Sequence, residues 1–331
     1  AAILEARNPG GVFAVVYADH LIRAEKTFVA TNSQFTQVVK KQAPAISTRN
    51  IISEPAFRDT ATCLGFAAAI LEARNPGGVF AVVYADHLIR AEKTFVAKIR
   101  AAAEIAQSGT IAIVEVESEF PATQFGWVEV AKKLPNVRGQ KIFELKKFVE
   151  KPDLARAKKF HASQKYFWNT GLFVWRSDFL LSKFQAFLPD TFARLQKMAQ
   201  ANFAAKIVQK EYSACQKISV DFASLEKVDP REIAILPAKL GWSDVGTWES
   251  LKNELSKDSE NLVENDCVAV DATGNFVKIA SKKLVALVGV QNLIVVETDD
   301  ALLICEKNKS GEIKKVVQML ENGVAARRKL I

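Results

Sequence analysis

Short, almost purely apolar runs separated by amphipathic stretches set the pattern of the first two thirds of the chain. VFAVVY at 79–84 and IAIVEV at 111–116 are continuous hydrophobic runs, as expected of strands buried on both faces. TFVATN at 27–32 predicts another strand. Residues 33–42, 61–73 and 91–108 read as helices, and NPGG at 75–78 marks a turn from helix into strand. Strand and helix in alternation predict a doubly wound α/β sheet whose ligands bind at the carboxyl ends of its strands.

The pattern changes after Leu255. The polar run SKDSEN at 256–261 marks a boundary, which divides the chain into a larger domain, 1–258, and a small β-rich domain, 259–331. In the latter, strands are predicted at 267–270, 276–279, 284–288, 293–296 and 301–305, split by turns such as DATGN and NKSGE. An amphipathic helix over 312–321 follows, with Ile313, Val316, Val317 and Leu320 on one face and Gly323 as its stop.

Residues 1–30 recur without a change as 68–97. Ancient duplications drift, so identity over this length reads as a recent duplication, an engineered insertion or an error in the recorded sequence, and not as a solenoid repeat in which several similar units stack. Only the second copy has an upstream helix in place, so 79–84 is expected in the sheet and Asp86, not Asp19, at its carboxyl edge. The first copy keeps strand propensity at 12–17 and is expected to fill a sheet position as a buried parallel strand.

Composition narrows the function classes. With 331 residues and 49% hydrophobic content the chain can build a sizeable core. No apolar run approaches the length of a membrane span and the N-terminus lacks the order of a signal peptide, so a cytoplasmic location and no membrane partner are the default. Cys63, Cys215, Cys267 and Cys305 form no CxxC pair and read as reduced thiols. His20, His87 and His161 offer no metal cluster, so any metal is a hard cation on carboxylates. The formal charge of +8 suits an anionic substrate, but its Lys and Arg form no stripe with interleaved aromatics, which argues against nucleic acid.

Three segments place polar side chains beside aromatics and a glycine or proline: FVEKP at 148–152, YFWNTG at 166–171 and GWSDVGTW at 241–248. Such segments are suited to a rigid pocket with a few fixed polar groups. Asp86 follows VFAVVY directly and Asp244 sits among tryptophans and glycines; two carboxylates of this kind suit Mg²⁺. Alone, Asp86 reads more readily as a helix N-cap for residue 91 onward or a solvated acid. Glu150 can accept from sugar hydroxyls and Lys151 can reach a phosphate, although an exposed charged pair is the plainer reading. Asn169 can bind a hydroxyl, and Asn-Thr-Gly is also a common turn.

Taken in order, EPAFRDTA (54–61), YADHLI (84–89), FGWVE (125–129), FVEKP, YFWNTG, ISVDFASLEK (218–227) and GWSDVGTW resemble the ordered motifs of the mannose-1-phosphate guanylyltransferases, also called GDP-mannose pyrophosphorylases. The resemblance covers roughly residue 27 to the C-terminus. It implies a Rossmann-like nucleotidyltransferase domain that transfers GMP from GTP to mannose 1-phosphate, giving GDP-mannose and pyrophosphate without a covalent enzyme intermediate. Attack is in line, so catalysis rests on positioning and charge neutralisation. The resemblance further implies that Asp86 and Asp244 hold Mg²⁺, that Lys151 contacts phosphate, and that Gly126, Glu150, Asn169 and Asp221 seat the sugar phosphate. Glu54, Arg58, Asp59 and Thr60 are implied on the guanine and ribose side, with Asp59 where asparagine is commoner, and a homodimer is the partner arrangement considered.

One departure stands out. The family opens with a glycine-rich loop close to GGxGxRLxPLS, whose amides cradle the triphosphate, whereas here 1–29 are the copy of the later strand. Two other readings therefore stay open: a non-catalytic nucleotide-sugar-binding or regulatory protein of the same fold, and a related nucleotidyltransferase using another base or sugar.

Overall fold

A computed structural model of the chain describes residues 13–17, 26–223, 227–256, 259–280 and 282–321. Asp19, the first NPGG and Gly323 lie outside them. In chain order the strands up to residue 244 are β1 (Phe13–Tyr17), β2 (Thr27–Asn32), β3 (Ile51–Glu54), β4 (Val79–Tyr84), β5 (His87–Ile89), β6 (Ile111–Glu117), β7 (Trp127–Val137), β8 (Gln140–Val149), β9 (Tyr166–Arg176), β10 (Ile233–Ala238) and β11 (Trp242–Asp244). Nine of them form one sheet in the order β3-β2-β1-β4-β9-β6-β10-β8-β7, and β5 pairs with β11.

Alternation along the central strands separates two cores, as the sequence pattern predicts. Ile111 and Ile113 of β6 join Phe173 and Trp175 of β9 on one face, beneath the helices Asp59–Arg74, Ser177–Phe187 and Pro189–Gln200. Ala112 and Val114 join Leu172 and Val174 on the other, beneath the helices Glu92–Gln107 and Leu154–Ser163. Helices on both faces leave these strands no wet side, which is why their sequences read as unbroken apolar runs.

The copied strand β1 does enter the sheet, between β2 and β4, but it runs antiparallel to both. This corrects the expected parallel orientation. Two FAVVY segments laid antiparallel match end to end, Phe13 opposite Tyr84 and Tyr17 opposite Phe80. Antiparallel ladders are also slightly the more stable per residue.

The chain divides into two compact units. Of the described residues, one holds 13–17, 26–85 and those from 89 to 242, and therefore the nine-stranded sheet; the other holds 86–88 and those from Ser243 onward. In the second unit β12 (Leu262–Val263), β14 (Phe276–Lys278) and β16 (Leu293–Glu297) stack in parallel register, Leu262 on Phe276 on Ile294. Likewise β13 (Cys267–Val270) lies parallel to β15 (Val285–Val288), and β17 (Leu302–Glu306) closes antiparallel on β16. Successive coils stacked in parallel make this a β-helix. An asparagine ladder joins the coils at one corner: Asn275 donates its backbone N–H and its amide to Asn261 Oδ1 at 3.0 and 2.9 Å, and Asn275 Oδ1 accepts from Leu293 N at 2.9 Å. No helix among the described residues is long and apolar enough to cross a membrane.

Candidate functional site

The strand YFWNTG is where the sheet becomes irregular. Val114 pairs with Leu172 and Val116 with Trp168, so Asn169, Thr170 and Gly171 of β9 stand opposite the single residue Glu115 of β6. This is a bulge inside a strand rather than the turn that Asn-Thr-Gly suggests, and bulges re-aim side chains. Gly171 makes it possible, with φ of +68° and the Tyr84 ring so close that a Cβ would lie 2.7 Å from it.

Three sheet connections converge on Asn169. Gly126 precedes β7 and Glu150 follows β8, and β7 pairs with both β8 and β9, Trp127 opposite Val149 and Trp168. Asn169 N donates to Gly126 O at 2.8 Å, its Oδ1 accepts from Gly171 N at 3.1 Å, and its Nδ2 reaches Asp221 Oδ1 at 3.5 Å. A Cβ on Gly126 would fall 2.8 Å from Glu150 Oε2 and 3.3 Å from Asn169 Cβ, so only glycine leaves the two side chains this close. Gly126, Glu150, Asn169 and Asp221 therefore form one cluster. Lys151 Nζ lies 3.0 Å from Glu150 Oε1, with both side chains largely exposed, and its backbone takes the unusual φ of +37°. Positive φ at a lysine is strained, and strain of this kind gathers at ligand clamps.

EPAFRDTA behaves otherwise. The buried Glu54 accepts from the Tyr212 hydroxyl, and burial raises its carboxyl above the usual range despite bonds from Tyr212 and Cys63. Arg58 Nε donates to Ser213 O at 2.9 Å, and a second guanidinium nitrogen bonds the same carbonyl. Thr60 Oγ1 accepts from Val220 N at 2.8 Å. Asp59 is exposed, has φ of +65° and accepts from Thr60 N at 2.7 Å. Asn and Asp are the residues that best tolerate this left-handed conformation, which gives a physical reason for either at position 59.

The two aspartates belong to the second unit. Val245 N donates to Asp86 O at 2.8 Å, tying the segments together. Burial first, and the Asp86 charge second, push the Asp244 carboxyl up to about 7. The helix Glu92–Gln107 begins at Ala91 with no side-chain cap, so the N-cap reading of Asp86 is not realised. Beyond Asp244, Thr247 and Ser250 form a capping box at the helix Trp248–Leu255, and Trp248 stacks on Phe276 at 5.5 Å. Two nearby carboxylates, one resisting ionisation beside the other, fit a hard divalent cation. Among the described residues no group of three or more His, Cys, Asp or Glu is arranged to hold a metal, so substrate and water oxygens would complete the coordination.

Glu115 is the site residue that motif reading missed. It is fully buried, its Oε2 accepts from Thr170 N at 2.9 Å, and Oε1 has no hydrogen-bond partner among the described residues. The signal was one carboxylate inside the otherwise apolar IAIVEV.

The chain is similar to known proteins. The nucleotidyl transferase model covers residues 12–261, and that of the MannoseP isomerase/GMP-like beta-helix domain covers 265–320. The chain is 32% identical to the mannose-1-phosphate guanylyltransferase of Escherichia coli (strain K12) over 91% of its own length, and 31% identical to mannose-1-phosphate guanylyltransferase ManC of Salmonella typhimurium, also over 91%. It spans 64% of the length of each. A solved structure described as a mannose-1-phosphate geranyltransferase from Thermus thermophilus is 26% identical and superposes with a TM-score of 0.76, covering 91% of this chain and 86% of that one. With the doubly wound sheet and the β-helix each matched in place, the chain belongs to the nucleotidyl transferase family.

Proposed function

We propose that this chain transfers GMP from GTP to mannose 1-phosphate, releasing pyrophosphate and forming GDP-mannose. The observation that carries this reading is the convergence of Gly126, Glu150, Asn169 and Asp221 at one sheet edge. A carboxylate and an amide held side by side accept from and donate to neighbouring hydroxyls of a hexose, and the exposed Lys151 ammonium beside them meets its phosphate. Relatives named for mannose 1-phosphate support the choice of sugar.

On the nucleotide side, the segment from Glu54 to Thr60 is fastened to residues 212–220, which leaves the exposed Asp59 carboxylate to address the base or ribose. Asp86 and Asp244 hold Mg²⁺ in this reading; when bound, the cation neutralises charge on the phosphate oxygens. The residues themselves bind and orient: Glu150 and Asn169 fix the sugar ring so that its phosphate oxygen faces the α-phosphorus, which is where positioning lowers the barrier.

Steady-state kinetics with GTP, Mg²⁺ and mannose 1-phosphate test the reading. Glu150→Gln and Asn169→Ala are expected to weaken use of mannose 1-phosphate by about 1–3 kcal/mol, the range for leaving a partner unpaired, with GTP affinity unchanged. Equal losses for both substrates would assign these residues to the fold. Calorimetric binding of GDP-mannose by a protein that shows no turnover would favour the binding-protein reading instead.

A further inference from the structure

Glu115 lies on the same sheet face as the sugar-side cluster. Along β6 its parity is that of Ile111 and Ile113, in the core beneath the helix Asp59–Arg74, and the charge it feels is that of Asp221, a member of that cluster. A carboxyl with no exposure needs a reason to be there, because burying such a group without full hydrogen bonding is costly. Its one described bond goes to the backbone of the bulge, Thr170 N at 2.9 Å, while Thr170 Oγ1 donates to Val114 O at 2.6 Å. Both residues flanking that amide serve the cluster: Asn169 touches Gly126 and Asp221, and Gly171 donates its N–H to Asn169 Oδ1 at 3.1 Å.

We propose that Glu115 is a positioning residue for the sugar phosphate, its buried carboxyl pinning Thr170 so that the bulge holds the Asn169 amide between Gly126 and Asp221. The inference rests on the sugar-side reading given above. Of the elements packed around Glu115, β9 presents Asn169, Thr170 and Gly171, and β10 presents Pro237 in register. The short helix Val220–Ala223 supplies Asp221, the charged group that faces it, while β4 brings Tyr84 against Gly171. Burial chiefly, and then the Asp221 charge, push the Glu115 carboxyl up to about 8 against the pull of Thr170. Ionisation would set two carboxylates against each other in a water-poor site and drive the Asn169–Asp221 pair apart.

Two variants of the full chain test this. Glu115→Gln keeps an acceptor for Thr170 N and cannot ionise; Glu115→Ala removes the brace. Wild-type KM for mannose 1-phosphate is expected to rise above about pH 8 while the Gln variant stays flat, and the Ala variant is expected to raise that KM about tenfold at pH 7 with KM for GTP unchanged. Melting gives a readout independent of activity. A carboxyl whose folded pKa exceeds its unfolded value loses stability as pH rises from about 4.5 to about 8, and the loss then levels off. The melting temperature of Glu115→Gln should therefore gain on wild type across that window and hold its lead above it, and the KM profile of wild type against Glu115→Gln carries the test even if Glu115→Ala does not fold. An Ala variant with wild-type KM values, or a melting difference independent of pH, overturns the inference alone. A wild-type protein that neither forms nor binds GDP-mannose removes the sugar-side reading, and this inference with it.

Discussion

EPAFRDTA and YFWNTG both read as ligand motifs, yet the fold uses their polar atoms in opposite ways. In the first, Glu54, Arg58 and Thr60 are bonded to Tyr212, Ser213 and Val220, more than 150 residues later in the chain. In the second, the Asn169 amide reaches Asp221 over 3.5 Å and Glu150 stands half exposed across Gly126. A buried group satisfied by its own chain contributes to stability, because its loss strands a partner. A group with spare hydrogen-bonding capacity at an exposed edge can exchange partners with a ligand instead. The difference teaches that a motif's residue types fix what chemistry is possible, while local partners decide whether it serves the fold or the substrate.

The contrast breaks most sharply at Glu54. Glu54→Ala strands the Tyr212 hydroxyl, which is fully buried, and is expected to cost about 1–3 kcal/mol. Asn169→Ala removes only part-buried bonds, from Gly171 N and to Asp221, and should cost less, no more than about 1 kcal/mol. Urea unfolding of both variants measures this. Equal shifts in midpoint would mean that the Asn169 cluster is as structural as the Glu54 network, and the distinction would fall.

How far sequence carries such a distinction depends on the range of the forces involved. Strands such as 79–84, 111–116 and 267–270 were legible because side-chain periodicity is local. The stacking of the C-terminal strands into parallel coils was not, since register between coils is set by distant contacts such as the Asn261–Asn275 ladder. Local pattern left Asn-Thr-Gly open between a ligand-binding amide and a turn, because only the pairing of β9 with β6 makes it a bulge. Glu115 escaped for the same reason: a carboxylate in an apolar run gains meaning only from what the neighbouring strand places against it. The direction of β1 was not legible either, since its pairing with β2 and β4 is a tertiary contact that the segment's composition does not record.

Gly126 sharpens the comparison with a smaller effect. A methyl group there meets the Glu150 carboxylate at 2.8 Å, and a half-exposed carboxylate can swing away into water. Gly126→Ala is therefore expected to leave stability within about 0.5 kcal/mol while raising KM for mannose 1-phosphate about tenfold, or about 1.4 kcal/mol. A stability loss comparable to that of Glu54→Ala would show that Gly126 packs the fold rather than spacing the site.

The smallest effect should come from Lys151, where fold and function pull apart. Its φ of +37° is costly for any residue with a Cβ, and glycine removes that cost while adding freedom to the unfolded chain. The Glu150 ion pair lost with it is largely exposed and contributes little. The balance predicts that Lys151→Gly stabilises by about 0.5 kcal/mol, a small rise in urea midpoint at unchanged slope. The same variant has no ammonium for the phosphate, so its use of mannose 1-phosphate should fall. A gain in stability with a loss of activity is the behaviour of a strained residue kept for its ligand. A variant that is less stable and fully active would instead make Lys151 part of the turn that ends β8, and would move the phosphate contact elsewhere.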